Sequence, residues 1–116
     1  MIKLATAFSG IGAIEQAFKR LHIDNEIVFA CDNGDIEIDV DTDSELKKIK
    51  KMSSIEEKKE YANGLYKKLS KKNNFVEKSY KDNYSIVDNN FFYDVKMLDG
   101  TDFKNKVDLF VGGSPC

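Results

Sequence analysis

At 116 residues the chain holds one small domain or part of a larger one, and 41% apolar residues suffice for a core. No stretch approaches the roughly 20 apolar residues that cross a bilayer, and the two cysteines, Cys31 and Cys116, build no disulfide framework. The net charge of −2 hides two blocks: residues 24–43 carry eight acids and no Lys or Arg, whereas residues 44–81 carry twelve Lys against five acids. Such a basic block suits either an anionic partner or a solvated helix face. The early apolar run breaks at Ser9-Gly10, so it does not read as a secretory signal, and the expected compartment is the reducing cytoplasm.

In chain order, residues 2–8 (IKLATAF) are short and apolar and predict a buried strand. Ile11, Ile14, Phe18 and Leu21 follow at helical spacing, with Gly10 and Gly12 at the turn between. Residues 26–31 (EIVFAC) predict a second strand. Strand, glycine turn, helix and strand make a βαβ unit and hence a parallel sheet. Thr42-x-x-Glu45 and Ser54-x-x-Glu57 match the capping-box pattern and open two Lys-rich amphipathic helices, an insertion at about 43–73. Residues 75–90 read as loop with one helical turn at most. Residues 91–95 (FFYDV) and 107–113 (VDLFVGG) are the third and fourth strands. No repeat is present, and the single proline is Pro115. The fold class is therefore α/β.

The turn at Gly10-x-Gly12 brings backbone close to a ligand, because glycine accepts positive φ and carries no Cβ. A dinucleotide fingerprint would need a third glycine where Glu15 stands. A carboxylate there opposes a pyrophosphate at the helix N-terminus, which argues against nicotinamide dinucleotides. Asp32 follows the second strand, about 20 residues past Gly12, where an acid accepts hydrogen bonds from both ribose hydroxyls. Asp94 ends the third strand candidate and can accept from an exocyclic amine such as that of adenine. Ligands of open α/β sheets bind at the carboxyl ends of the strands, where Gly10, Asp32, Asp94 and Gly113 all fall. A nucleoside with a cationic centre and no phosphate fits S-adenosylmethionine. Cys116, in a loop at that edge, is a candidate nucleophile, whereas Cys31 reads as strand core. His22 ends the first helix, where the dipole suits it, and no metal site is expected.

In this order, the stretches ATAFSGIGAIEQAF, VFACDNGD, FFYDVKMLDG and DLFVGGSPC resemble the motifs of the DNA cytosine-5 methyltransferase family, and they cover most of the chain outside 43–85. The resemblance implies the N-terminal part of a Rossmann-like, S-adenosylmethionine-dependent methyltransferase fold. It implies that Phe8, Gly10, Ile11 and Gly12 contact the cofactor, that Asp32 holds the ribose and that Asn33 lies by the adenine. Asp94 and Val95 would sit by the adenine amine and ring. Pro115 would position the target cytosine, flipped out of the duplex, and Cys116 would attack its C6 so that C5 takes the methyl group. The family usually carries Glu at the Asp32 position and Asp-Leu where Thr6 and Ala7 stand, and the interval between Asp32 and Asp94 is longer here.

The Gln that follows the Pro-Cys pair in the family, the glutamate that protonates the ring, the Arg-x-Arg motif, the target recognition domain and the closing helix have no counterpart in these residues. The chain alone is therefore expected not to methylate DNA. It is expected to be a fragment or one half of a split enzyme, acting on DNA through a complementing C-terminal partner. A tRNA methyltransferase with similar motifs and a non-catalytic module that binds S-adenosylmethionine or a partner chain remain as alternatives. The Lys-rich helices would be either a DNA-facing element or a prop for the sheet edge, of which the prop is preferred.

Overall fold

The computed structural model describes residues 1–8 and 12–112. The strands are β1 (Ile2–Ala7), β2 (Asn25–Cys31), β3 (Phe91–Phe92) and β4 (Leu109–Gly112), and the helices are α1 (Ala13–Arg20), α2 (Thr42–Lys50), α3 (Ile55–Ser70) and α4 (Phe75–Asn83). The four strands form one all-parallel sheet in the order β3-β2-β1-β4. This mixed α/β arrangement is compatible with a Rossmann-like fold. It places β1 at the centre, where the strand order reverses.

β1, β2 and β3 are apolar because they are largely buried, whereas β4 leaves Leu109 and Phe110 exposed. Phe91 and Phe92 point to opposite sides, as successive strand residues must, and join two separate buried clusters. One cluster gathers Ile27, Ala30 and Phe91 with Ile49, Tyr66 and Tyr80 from the helices. The other gathers Val28, Phe29 and Phe92 with Phe103. Val28 and Phe29 share a side because β2 bulges: Leu4 pairs with Ile27 but Ala5 with Phe29.

Three local expectations are corrected. Residues 75–90 contain the nine-residue helix α4, because the Asn74 side chain caps it by accepting from Glu77 N at 3.0 Å and Tyr80 is fully buried beneath it. The third strand stops at Phe92 rather than Val95, because Asp94 accepts from Lys96 N and starts a 3-10 turn over Val95–Met97. The cap of α2 is Asp41, not Thr42, with Ser44 N donating to Asp41 Oδ1. Ser54 does cap α3, accepting from Glu57 N.

Helix α3 props the sheet edge. Asn63 of α3 donates to Phe91 O at 2.8 Å and accepts from Tyr93 N at 2.9 Å. Its side-chain amide thus stands in for a neighbouring strand along the outer side of β3 and blunts that edge. Lys58 and Lys59, both buried, anchor the same helix. Lys58 Nζ reaches Asp99 at 3.0 Å and Asp102 at 2.7 Å, and Lys59 Nζ donates to the carbonyls of Asp88 and Asn89. Lys47, Lys48, Lys67 and Lys68 remain exposed. Among the described residues no helix is long and apolar enough to cross a membrane.

Candidate functional site

Parallel strands end on a common side, so residues that follow β1, β2 and β3 meet at one edge of the sheet. A cleft of about 510 Å³ opens there. Phe8, Asp32, Asn33, Asp94 and Val95 all line it, although they come from three separate segments of the chain. Gly12 is buried and does not line it. Gly10, Ile11, Pro115 and Cys116 lie outside the described residues.

Each lining residue is held by local structure. Phe8 adopts φ of 57° directly after β1 and is 47% exposed, so its ring stands at the mouth of the cleft. After β2 the chain turns sharply: Asp32 Oδ1 accepts from Gly34 N at 2.8 Å and Asn33 Oδ1 accepts from Asp35 N at 2.9 Å. These are consecutive Asx turns, which Asp and Asn side chains favour. Asn74, the cap of α4, donates to Asp32 O at 2.9 Å and ties the turn down. Asp94 is gripped from two sides, by Lys96 N on Oδ1 at 2.9 Å and by the Tyr66 hydroxyl on Oδ2 at 2.8 Å.

Gly12 and the first turn of α1 are clasped by α4 and the residue after it. Gly12 caps α1 with φ of 87° and ψ of 46°. The Tyr84 hydroxyl donates to Gly12 O at 3.2 Å, and the Tyr80 hydroxyl donates to Glu15 Oε1 at 2.8 Å. Glu15 is buried in the first turn of α1, where the positive end of the helix dipole supports a carboxylate. Its Oε2 has no hydrogen-bond partner among the described residues. Burial, with Glu15 beside it, pushes the Tyr80 hydroxyl above its ordinary value, so it remains a donor.

Three acids (Asp32, Glu37 and Asp94) and one lysine (Lys96) line the cleft, together with apolar Ile36, Val40 and Val95 and the rings of Tyr66 and Tyr93. An acidic lining repels phosphates and favours a neutral or cationic ligand. The volume falls within the roughly 300–1,000 Å³ typical of small-molecule sites. The lining carboxylates offer acceptors to hydroxyl and amine donors, and the apolar lining residues can lie against a ring.

Tyr66 is a site residue that sequence spacing places in the helix core. Its ring does pack there, at 4% exposure and edge-on to Tyr93, but its hydroxyl reaches Asp94. The available signal is chemical: a buried tyrosine needs an acceptor for its hydroxyl. Cys31 is core, as expected, and the residue also borders the cleft. Burial, reinforced by the charges of Asp94 and Asp32, pushes that thiol far above its ordinary value. Iodoacetamide at pH 8 is accordingly expected to leave Cys31 unmodified in the native chain and to label it in urea. Peptide mass spectrometry checks this, and equal labelling in both conditions contradicts the placement.

Among the described residues no group of three His, Cys, Asp or Glu side chains is placed to hold a metal ion. Compared with protein-family models, curated proteins and solved structures, the chain finds no significant match.

Proposed function

We propose that the chain binds S-adenosylmethionine in this cleft and is the cofactor-binding part of a DNA cytosine-5 methyltransferase. The single observation that carries the reading is the convergence of Phe8, Asp32, Asn33, Asp94 and Val95 on one acid-lined cleft at the carboxyl edge of a parallel sheet. Asp32 would accept from the ribose hydroxyls, Asp94 from the adenine amine, and Val95 would lie against the ring. Phe8 and the glycine turn would flank the methionine end, and the acidic lining suits the cationic sulfonium. The bound cofactor supplies an electrophilic methyl group.

In the complete enzyme the Cys116 thiolate would add to C6 of a flipped cytosine. An acid would protonate the ring, C5 would take the methyl group with S-adenosylhomocysteine leaving, and loss of the C5 proton would expel the Cys116 thiolate. The partner in this reading is DNA.

Calorimetric titration with S-adenosylmethionine and with NAD tests the ligand. The expected result is binding of the former only, with Asp32→Ala weakening it about tenfold or more, as loss of charge-assisted hydrogen bonds does. Clear NAD binding, or an affinity unchanged by Asp32→Ala, overturns the reading.

A further inference from the structure

The Lys-rich insertion does more than support the sheet. We infer that Tyr66, carried on α3, is a positioning residue for ligand recognition, setting the Asp94 carboxylate so that the cleft selects a nucleoside base bearing an exocyclic amine over one bearing a carbonyl. The inference rests on the nucleoside-binding reading above and names a specificity determinant within the same site.

The geometry carries it. Asp94 sits in a short connection between β3 and a 3-10 turn, and its side chain could rotate if only the Lys96 amide held it. Two protein donors, one on each oxygen, fix the carboxylate plane: Lys96 N on Oδ1 and Tyr66 Oη on Oδ2. A carboxylate has about four acceptor positions, so two such bonds still leave acceptor capacity toward the cleft. Tyr66 is itself immobilised, being 4% exposed and packed edge-on to Tyr93 at 5.7 Å between ring centres. The Tyr66 hydroxyl stays protonated at neutral pH, because burial and then Asp94 push it above its ordinary value. Its single proton is committed to Asp94, so the face shown to the ligand accepts hydrogen bonds. An amine satisfies that face, whereas a carbonyl oxygen meets acceptors and leaves them unpaired. A site built to bond a particular group rejects the analogue lacking it strongly.

The test is titration with S-adenosylhomocysteine and its deaminated counterpart S-inosylhomocysteine, for the native chain and for Tyr66→Phe. The native chain is expected to prefer the amino compound by at least tenfold. Tyr66→Phe keeps the ring and the packing, and is expected to reduce that preference three- to tenfold. A merely structural role would weaken both ligands equally and leave the ratio alone, so an unchanged ratio, or no native preference, overturns this inference while leaving the nucleoside site standing. Binding of neither compound by the native chain overturns the site reading and this inference together. Should Tyr66→Phe fail to fold by circular dichroism, 3-fluorotyrosine placed at position 66 alone serves instead. Its fluorine resonance is expected to move with the amino compound and not with the oxo compound, and an equal response to both overturns the inference.

Discussion

Replacing Lys58 with methionine is expected to lower the thermal midpoint by roughly 12 °C. The Lys58 ammonium lies between Asp99 and Asp102, with the lysine side chain 10% exposed and the two aspartates 6% and 24% exposed. Removing one partner of a buried ion pair leaves uncompensated charge and costs about 3–5 kcal/mol. The partial exposure of Asp102 argues for about 3 kcal/mol, or about 4 °C per kcal/mol in a domain of this size. Methionine keeps most of the buried alkyl stem, so the loss reports on the charge. The consequence is global, because α3 carries both Asn63 on the β3 edge and Tyr66 on the cleft. A midpoint shift below about 3 °C, measured by circular dichroism, would show that the ion pairs do not hold α3 in place.

The same group sets a pH dependence. Burial disfavours the charged form of Asp99, but hydrogen bonds from Thr101 and Lys58 outweigh it and hold the carboxyl below its ordinary value. The hydrogen bond to Asp102, opposed by burial and aided by Asp99, raises the Lys58 amine above its ordinary value. A depressed carboxyl contributes stability above its unfolded value of about 4 and loses it as pH falls through the folded value. A raised amine contributes fully below its unfolded value of about 10.4 and loses it as pH rises through the folded value. The native chain should therefore lose stability on both sides of that window, and Lys58→Met should flatten the alkaline limb and reduce the acid one. Equal pH profiles for the two chains would contradict the assignment.

Gly12→Ala is expected to cost about 2–3 kcal/mol, from two sources. The backbone at φ of 87° lies in the left-handed region, where a side chain costs about 1 kcal/mol or more. A Cβ would also lie 2.4 Å from Tyr84 Cε2 and 2.9 Å from Tyr84 Cζ. Tyr84 would have to leave, breaking its bond to Gly12 O and its packing on Tyr80, whose ring lies 4.9 Å away. The check is a double-mutant cycle by urea unfolding. Tyr84→Ala destabilises on its own, but Gly12→Ala combined with it should cost less than the sum, because the clash is gone and only backbone strain remains. Strict additivity would remove the clash from the account.

The elements that local chemistry dictates were legible before any coordinates. The apolar runs of β1 and β2, the glycine at positive φ before α1 and the Ser54 cap of α3 each follow from neighbours a few residues away. Helix α4 escaped because its stabilising contacts are distant: Tyr80 pairs with Glu15 and Asn74 with Asp32. Its own signal, Asn74 three residues before Glu77, is a cap of a kind that the Ser/Thr box does not include. The apolar run FFYDV predicts a strand longer than β3, which ends at Phe92 because the Asp94 side chain accepts from Lys96 N in a turn.

The candidate site divides along the same line. Asp32 and Asp94 could be named from sequence, since an acid just past a strand in a parallel sheet must emerge at the carboxyl edge, whatever the packing. Tyr66 could not, because helical periodicity assigns a face and is silent on what the polar tip of a buried ring touches. By itself, the sequence determined a βαβ unit, a glycine ahead of α1 and two acids at strand ends, since these depend on local backbone preference and chain direction. Only the tertiary structure decided that the basic insertion turns buried lysines, an amide and a tyrosine inward, because burial of α3 forces each of those polar groups to find a partner on the sheet edge or in the segments beside it.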